Sequence, residues 1–205
     1  MAARTGQSIT RAASRALFHS ILGVRPGVLD AADQLRAAGH TVHVVDQYDG
    51  RTFDDYDEAD VFAESVGYPE LMRRALTAVE SLPDGFVVAG FSNGAGMAEH
   101  VAVNRAVSGV LLFAGGLPLR FLGDVSWPSG VPAQIHQTLD DPFRSDENTV
   151  EVAQSIRDAG GEVELFDYPG AGHLFTDTSM VDEFDAESAE LKWERVLTFL
   201  AALGK

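Results

Sequence analysis

The chain has 205 residues, 45% of them hydrophobic, with a formal net charge of −16 and no cysteine. This composition fits an ordinary globular domain and excludes disulfides, thiolate metal sites and a cysteine nucleophile. The acidic balance argues against nucleic acid or an anionic membrane surface as partners, since both require basic patches. Because neither a long apolar run nor a secretory signal is visible, we expect one cytoplasmic domain over residues 1–205, with residues 1–14 as a poorly ordered N-terminal extension.

Short apolar segments alternate with helical patterns along the chain. The apolar segments are rich in β-branched and aromatic residues, as expected of strands, and cover residues 16–20, 41–46, 86–90, 109–114, 133–138 and 162–168. Helical spacing of apolar residues predicts helices near residues 27–38, 69–81, 95–106, 148–159 and 187–202. This alternation predicts an α/β fold with a mostly parallel sheet and helices on both faces. Ligands bind beyond the carboxyl ends of strands in such sheets, so the chemistry should lie there.

Residues 49–60 contain the densest run of acidic side chains. The segment lacks the ordered spacing, central glycine and terminal glutamate of a calcium-binding loop. We therefore predict a solvated acidic loop, with a weak cation site as the alternative. The acidic residues are Asp49, Asp54, Asp55, Asp57, Glu58 and Asp60.

A serine lies at a predicted strand-to-helix junction, in the sequence GFSNGAG of residues 90–96. Gly90-x-Ser92-x-Gly94 is the pattern of a nucleophile elbow, a turn so sharp that side chains two residues before and after the serine would collide. The helix that follows would direct the N–H of Asn93 at an oxyanion. The alternative is a glycine-rich turn where a helix packs closely on a strand, but the position directly after a core strand favours the elbow.

A serine nucleophile requires a base, and the base requires an orienting acid. Among six histidines, His173 follows the last predicted strand, where elbow enzymes place the base. A loop histidine that caps a carbonyl is the alternative. Asp140 and Asp141 follow the fifth predicted strand; we predict Asp141 as the acid because Pro142 restrains its backbone to an extended geometry, and Asp140 as a turn former.

With these residues in the order serine, aspartate, histidine, the sequence resembles the dienelactone hydrolase family of the α/β-hydrolase superfamily over residues of about 15–203. The resemblance rests on GFSNGAG, VPAQIHQTLDDPF, YPGAGHLF and FHSILGVRPGVLDAADQLRAAGHTVHVVDQYDG. It implies an α/β-hydrolase fold with about six strands, and Ser92, Asp141 and His173 as the catalytic residues. It also implies that the backbone N–H of Ile21 is the second oxyanion donor, beside that of Asn93.

Two departures from the family pattern concern the substrate. The enzymes that give the family its name have a cysteine at the elbow and an acidic residue in the oxyanion loop, where this chain has Ser92 and Ser20. Those enzymes also hold the substrate carboxylate with arginines, one of them just after the catalytic histidine, where this chain has Asp177 and no arginine. Arg73 and Arg74 fit a surface helix better than a substrate site. We therefore expect a substrate other than dienelactone.

These features together predict a serine hydrolase that cleaves small carboxylic esters or lactones through an acyl-enzyme on Ser92, without a cofactor or metal. The alternatives are an acyltransferase with the same triad and a catalytically inactive homologue that binds a ligand. Residues 115–130 are too few for a helical cap domain, so we expect an open site for short chains. We expect His19, Ser20 and Trp127 to line it, although Trp127 could instead cover the sheet edge.

Overall fold

The computed structural model describes residues 14–204. The extension predicted over residues 1–14 lies outside this range, except for Ser14, which begins the first strand. Strands and helices alternate as predicted, in the order β1 (Ser14–Phe18), α1 (Pro26–Ala37), β2 (Thr41–Val45), α2 (Tyr56–Val66), α3 (Tyr68–Val79), β3 (Phe86–Phe91), α4 (Asn93–Asn104), β4 (Val107–Phe113), β5 (Ala133–Thr138), α5 (Asp146–Asp158), β6 (Val163–Tyr168) and α6 (Ala186–Leu203).

The six strands form one sheet in the order β2-β1-β3-β4-β5-β6, and every neighbouring pair is parallel. Strands β3 and β5 are buried along their whole length, and β3 accordingly reads as a continuous apolar run, whereas β5 also carries buried polar side chains. Strand β6 lies at the edge and is largely exposed. The parallel register brings the carboxyl ends of β1, β3 and β4 level, so the loops that follow them meet at one edge.

Helices cover both faces of the sheet, as predicted for an α/β-hydrolase fold. One apolar cluster joins the sheet to α3, α4 and α5, and a second joins the opposite face to α1 and α6. The connection between β4 and β5 contains only a 3-10 turn, Leu119–Phe121, so the part of the chain that the structure describes has no cap domain there. None of the described helices is both long and apolar enough to cross a membrane.

The acidic segment 49–60 is the main error of the sequence prediction. Its second half is not a loop but the start of α2, and Asp55 caps this helix by accepting the N–H of Glu58 at 2.9 Å. Acidic side chains in the first helical turn, here Asp57 and Glu58, favour a helix because they oppose the positive end of its dipole. The same charges that suggested a solvated loop therefore stabilise a helix N-terminus.

Candidate active site

The turn between β3 and α4 places Ser92 in a strained conformation at the carboxyl edge of the sheet. Its φ of 51° and ψ of −117° lie in a region that residues other than glycine rarely adopt. A β-carbon on Gly90 would collide with the carbonyl oxygen of Gly94, and one on Gly94 would collide with the carbonyl oxygen of His19. Both glycines of the elbow pattern are therefore sterically required.

Ser92, His173 and Asp141 come from three different loops and form a continuous hydrogen-bonded chain. His173 Nε2 lies 2.7 Å from Ser92 Oγ, and His173 Nδ1 lies 2.6 Å from Asp141 Oδ2. The second oxygen of Asp141, Oδ1, accepts the backbone N–H of Phe143 at 2.8 Å. Asp140 is exposed on the same loop. In this arrangement the imidazole can accept the serine proton while the buried carboxylate fixes its tautomer.

The two backbone N–H groups predicted as oxyanion donors, those of Asn93 and Ile21, belong to segments that pack against each other near Ser92. Asn93 is the first residue of α4, so its N–H has no acceptor within the helix. The N–H of Ile21 donates no hydrogen bond to any residue in the range 14–204. The close packing of Gly94 on the carbonyls of Phe18 and His19 brings the start of α4 against the loop that contains Ile21.

An open cleft of about 520 Å³ extends from Ser92 and His173 toward the loops after β4 and β5. Its apolar wall consists of Tyr68, Met72, Met97, Leu117, Phe121 and Phe143. Its polar side is formed by the end of β5, the loop after it and the start of α5, and includes Gln137, Arg144, Asn148 and Thr149. Two members of this apolar wall, Leu117 and Phe121, belong to the connection between β4 and β5.

The three residues predicted to line the site do not line this cleft. His19 is fully buried, with Nδ1 at 2.6 Å from the carbonyl oxygen of Ser20 and Nε2 accepting the N–H of Gln47 at 3.1 Å, so it ties β1 to the loop after β2. Ser20 is buried and accepts the N–H of Leu22. Trp127 lies in the core and donates its indole N–H to the carbonyl of Val131. This position agrees with the alternative in which Trp127 covers the sheet edge.

Tyr56 and Glu183 support His173, although the sequence prediction did not include them. Glu183 accepts the N–H of Leu174, the residue after His173, at 2.5 Å and the hydroxyl of Tyr56 at 2.9 Å. Burial and the Glu183 carboxylate raise the pKa of Tyr56, so its hydroxyl remains a donor. The rings of Tyr56 and Phe143 pack near the imidazole, with centroids 6.0 and 4.8 Å from it. Because Tyr56 begins the helix that was predicted as a loop, no pattern indicated this contact.

Asp177 connects the loop that contains His173 to the start of α1. It accepts the N–H of Gly27 at 3.1 Å, and a β-carbon on Gly27 would overlap the Asp177 side chain. Arg25 Nε lies 3.7 Å from the same carboxylate, and both side chains are buried. Asp177, in the loop after His173, therefore has a structural role in this fold.

The cationic side chain of the cleft is already paired with carboxylates. This side chain, Arg144, donates to Asp146 at 2.6 Å and to Asp167 at 2.7 Å. Arg73 and Arg74 lie outside the cleft on α3, where both pair with Glu70. Among residues 14–204, no three His, Asp or Glu side chains are grouped as metal ligands.

Comparison with known proteins identifies the family and the fold. The model of the dienelactone hydrolase family matches residues 10–204. A search of the curated proteins finds no match. The fold is similar to that of a dienelactone hydrolase-like promiscuous phosphotriesterase from metagenomic libraries, with a TM-score of 0.78, 20% identity, and coverage of 93% of this chain and 86% of that chain.

Two more solved structures share the fold at lower identity. A carboxylesterase from Bacillus cereus has a TM-score of 0.54 at 16% identity, and covers 91% of this chain and 88% of its own. A thioesterase domain from the curacin biosynthetic pathway has a TM-score of 0.62 at 12% identity, with 92% of each chain covered. Since the family model spans nearly the whole sequence, the chain belongs to the dienelactone hydrolase family and is a hydrolase with the α/β-hydrolase fold.

Proposed function

We propose that the chain is a serine hydrolase that cleaves small, neutral carboxylic esters or lactones through an acyl-enzyme on Ser92. The observation that carries the proposal is the position of the Ser92 hydroxyl, on a strained turn and 2.7 Å from His173 Nε2. A serine nucleophile requires such a turn together with a base that is itself bonded to a buried carboxylate. Two similar structures are named as a carboxylesterase and a thioesterase domain, and both names denote acyl-transfer enzymes of the proposed class.

In the proposed reaction His173 Nε2 takes the proton of Ser92 Oγ as this oxygen attacks the ester carbonyl. Asp141 holds the proton on Nδ1 and stabilises the imidazolium that forms. The negative charge on the carbonyl oxygen is stabilised by the N–H groups of Asn93 and Ile21. His173 then protonates the leaving alkoxide, and a water molecule repeats the sequence on the acyl-enzyme to release the acid and restore Ser92.

The charge of the cleft favours a neutral substrate. Arg144 is already paired with Asp146 and Asp167, so a substrate carboxylate would have to compete with two fixed carboxylates for it. The net charge of −16 adds long-range repulsion of anions. We therefore expect simple esters and lactones without a carboxylate to be better substrates than the carboxylated dienelactone.

The test is a panel of neutral esters and lactones, with carboxylated analogues, measured on the wild-type protein and on Ser92→Ala. We expect hydrolysis by the wild type and none by the variant. A fluorophosphonate should add one adduct, on the peptide that contains Ser92. Labelling that persists in Ser92→Ala would contradict the assignment of the nucleophile. A wild-type protein that neither labels nor hydrolyses would support the inactive homologue, and product formation that depends on an added alcohol or thiol would support the acyltransferase.

A further inference from the structure

Glu99 is a carboxyl group buried in the wall of the cleft without a cation beside it. It lies on α4, two turns after Ser92, and its side chain is fully inaccessible to solvent. Among residues 14–204 no ion pair includes Glu99. Burial raises its pKa well above the ordinary value. A group that is so costly to bury is not explained by core packing, for which an apolar side chain would suffice.

The carboxyl group has one strong contact, and this contact is with the wall of the cleft. Glu99 Oε2 accepts the backbone N–H of Leu117 at 2.6 Å. Glu99 Oε1 has no hydrogen-bond partner in the described residues and lies under Gly116. Leu117 and Gly116 both line the cleft that contains Ser92.

The segment held by this bond, residues 114–117, has an unusual backbone. Ala114 has a φ of 63° and Gly115 a φ of 102°, so two successive residues are left-handed. One end is fixed where the N–H of Ala114 donates to the carbonyl of His136 at 2.7 Å, and the other end is fixed by Glu99. The N–H groups of Gly115 and Gly116 donate no hydrogen bond within the described residues. A conformation of this kind persists only where its surroundings enforce it.

The two anchors determine where the side chain of Leu117 lies. This side chain packs directly against the backbone of α4 at Gly96, where an added β-carbon would come within 3.2 Å of Leu117 Cδ2. Gly96 and Leu117 both line the cleft, so their contact forms part of its wall. If the bond to Glu99 were lost, the segment would retain only its attachment at Ala114, and the Leu117 side chain would be free to move off α4.

We infer that Glu99 is a positioning residue that holds Leu117 against Gly96, and that this contact limits the length of the substrate chain that the cleft accepts. The inference rests on the proposed esterase function, since it assigns the specificity of the same site. Glu99 acts through the backbone of Leu117 and does not contact the substrate.

The test compares Glu99→Gln, which keeps an oxygen acceptor for the Leu117 N–H, with Glu99→Leu, which removes it. Selectivity is measured as the ratio of kcat/KM for butyryl and octanoyl p-nitrophenyl esters, and for butyl and octyl acetates, so that both ends of the ester are varied. We expect Glu99→Gln to remain within about twofold of the wild type. Glu99→Leu should lower the short-to-long ratio of kcat/KM by roughly tenfold in either the acyl series or the alcohol series. The change should come from a lower KM for the long ester, because each additional buried methylene strengthens binding about fourfold. Glu190→Leu, on the exposed face of α6, is the matched control.

Hydrogen exchange provides a measurement that does not depend on activity. The amide of Leu117 should exchange slowly in the wild type and in Glu99→Gln, whereas the amide of Gly115 exchanges rapidly. An unchanged chain-length ratio in Glu99→Leu, or an equal change in Glu99→Gln, would overturn the inference. So would a wild-type Leu117 amide that exchanges as fast as that of Gly115. If the wild type hydrolyses no ester, the proposed function fails, but the exchange result still decides whether Glu99 holds Leu117.

Discussion

Replacement of Asp141 by asparagine should inactivate the protein while leaving its fold intact. The structure determines how the new side chain must lie, because the N–H of Phe143 requires an acceptor at the position of Oδ1. The asparagine oxygen therefore occupies that position, and its NH₂ group faces Nδ1 of His173, where Oδ2 lay at 2.6 Å. A donor at this place makes Nδ1 an acceptor, so the imidazole proton moves to Nε2. His173 then donates to Ser92 and cannot take its proton.

The expected loss follows from this reversal. In serine proteases the same substitution lowers kcat about 10⁴-fold, or about 5.4 kcal/mol in activation free energy. A flipped amide would restore the acceptor for Nδ1, but it would leave the N–H of Phe143 facing a donor, at a cost of about 1–3 kcal/mol. A neutral amide oxygen would also stabilise the imidazolium less well than the carboxylate does. We therefore expect a loss of about 10⁴ in kcat for Asp141→Asn.

The assay is ester hydrolysis with the best substrate of the panel, with thermal unfolding as a check of the fold. Asp140→Asn is the matched control, because Asp140 is exposed and adjacent, and it should lose less than about tenfold. If Asp141→Asn kept activity within about tenfold of the wild type, or if Asp140→Asn were the inactive variant, the reasoning on the orienting acid would be refuted.

Two further predictions concern a buried charge and the elbow. Burial lowers the pKa of Lys192 well below its ordinary value, so the unfolded chain binds a proton that the folded chain lacks, and stability should rise with pH up to about 10.4. In urea unfolding, Lys192→Met should no longer show this rise, and at pH 7 it should be at least as stable as the wild type. A variant less stable than the wild type at pH 7 would contradict the prediction. Gly94→Ala should destabilise the fold by about 3 kcal/mol or more, because the methyl group would collide with the carbonyl of His19, and equal stability would show that the elbow can relax.

The elements of the sheet could be predicted because their sequence signals are local. Strand β3 is buried along its whole length, so it reads as an apolar run, and the elbow follows it within two residues. The predicted strands and helices agree with the structure within one or two residues at most ends. The start of α2 could not be recognised, because its acidic first turn has the composition of a solvated loop, and only the capping bond from Glu58 to Asp55 distinguishes the two.

Contacts between side chains on distant loops could not be predicted from the sequence. Glu183 and Tyr56 are 127 residues apart and meet only because α2 packs beside the histidine loop.

Trp127 looked like a residue of a binding wall because it lies between β4 and β5 in an apolar segment. Its indole N–H has an acceptor within the same loop, which allows the ring to turn into the core. The pairing of a side chain with a backbone carbonyl leaves no periodic pattern in a sequence.

The strained residues of the cleft are fixed by the sheet itself. The N–H of Ser92 donates to the carbonyl of Phe113 at 2.7 Å, and the N–H of Ala114 donates to the carbonyl of His136 at the same distance. Each left-handed residue is thus the first one beyond its strand and still takes part in the hydrogen bonding between neighbouring strands. The strain at Ser92 and Ala114 is therefore offset by bonds continuous with the most buried part of the molecule. A site built this way needs no cap domain to hold its nucleophile, and its shape depends instead on the loops that those strand ends carry.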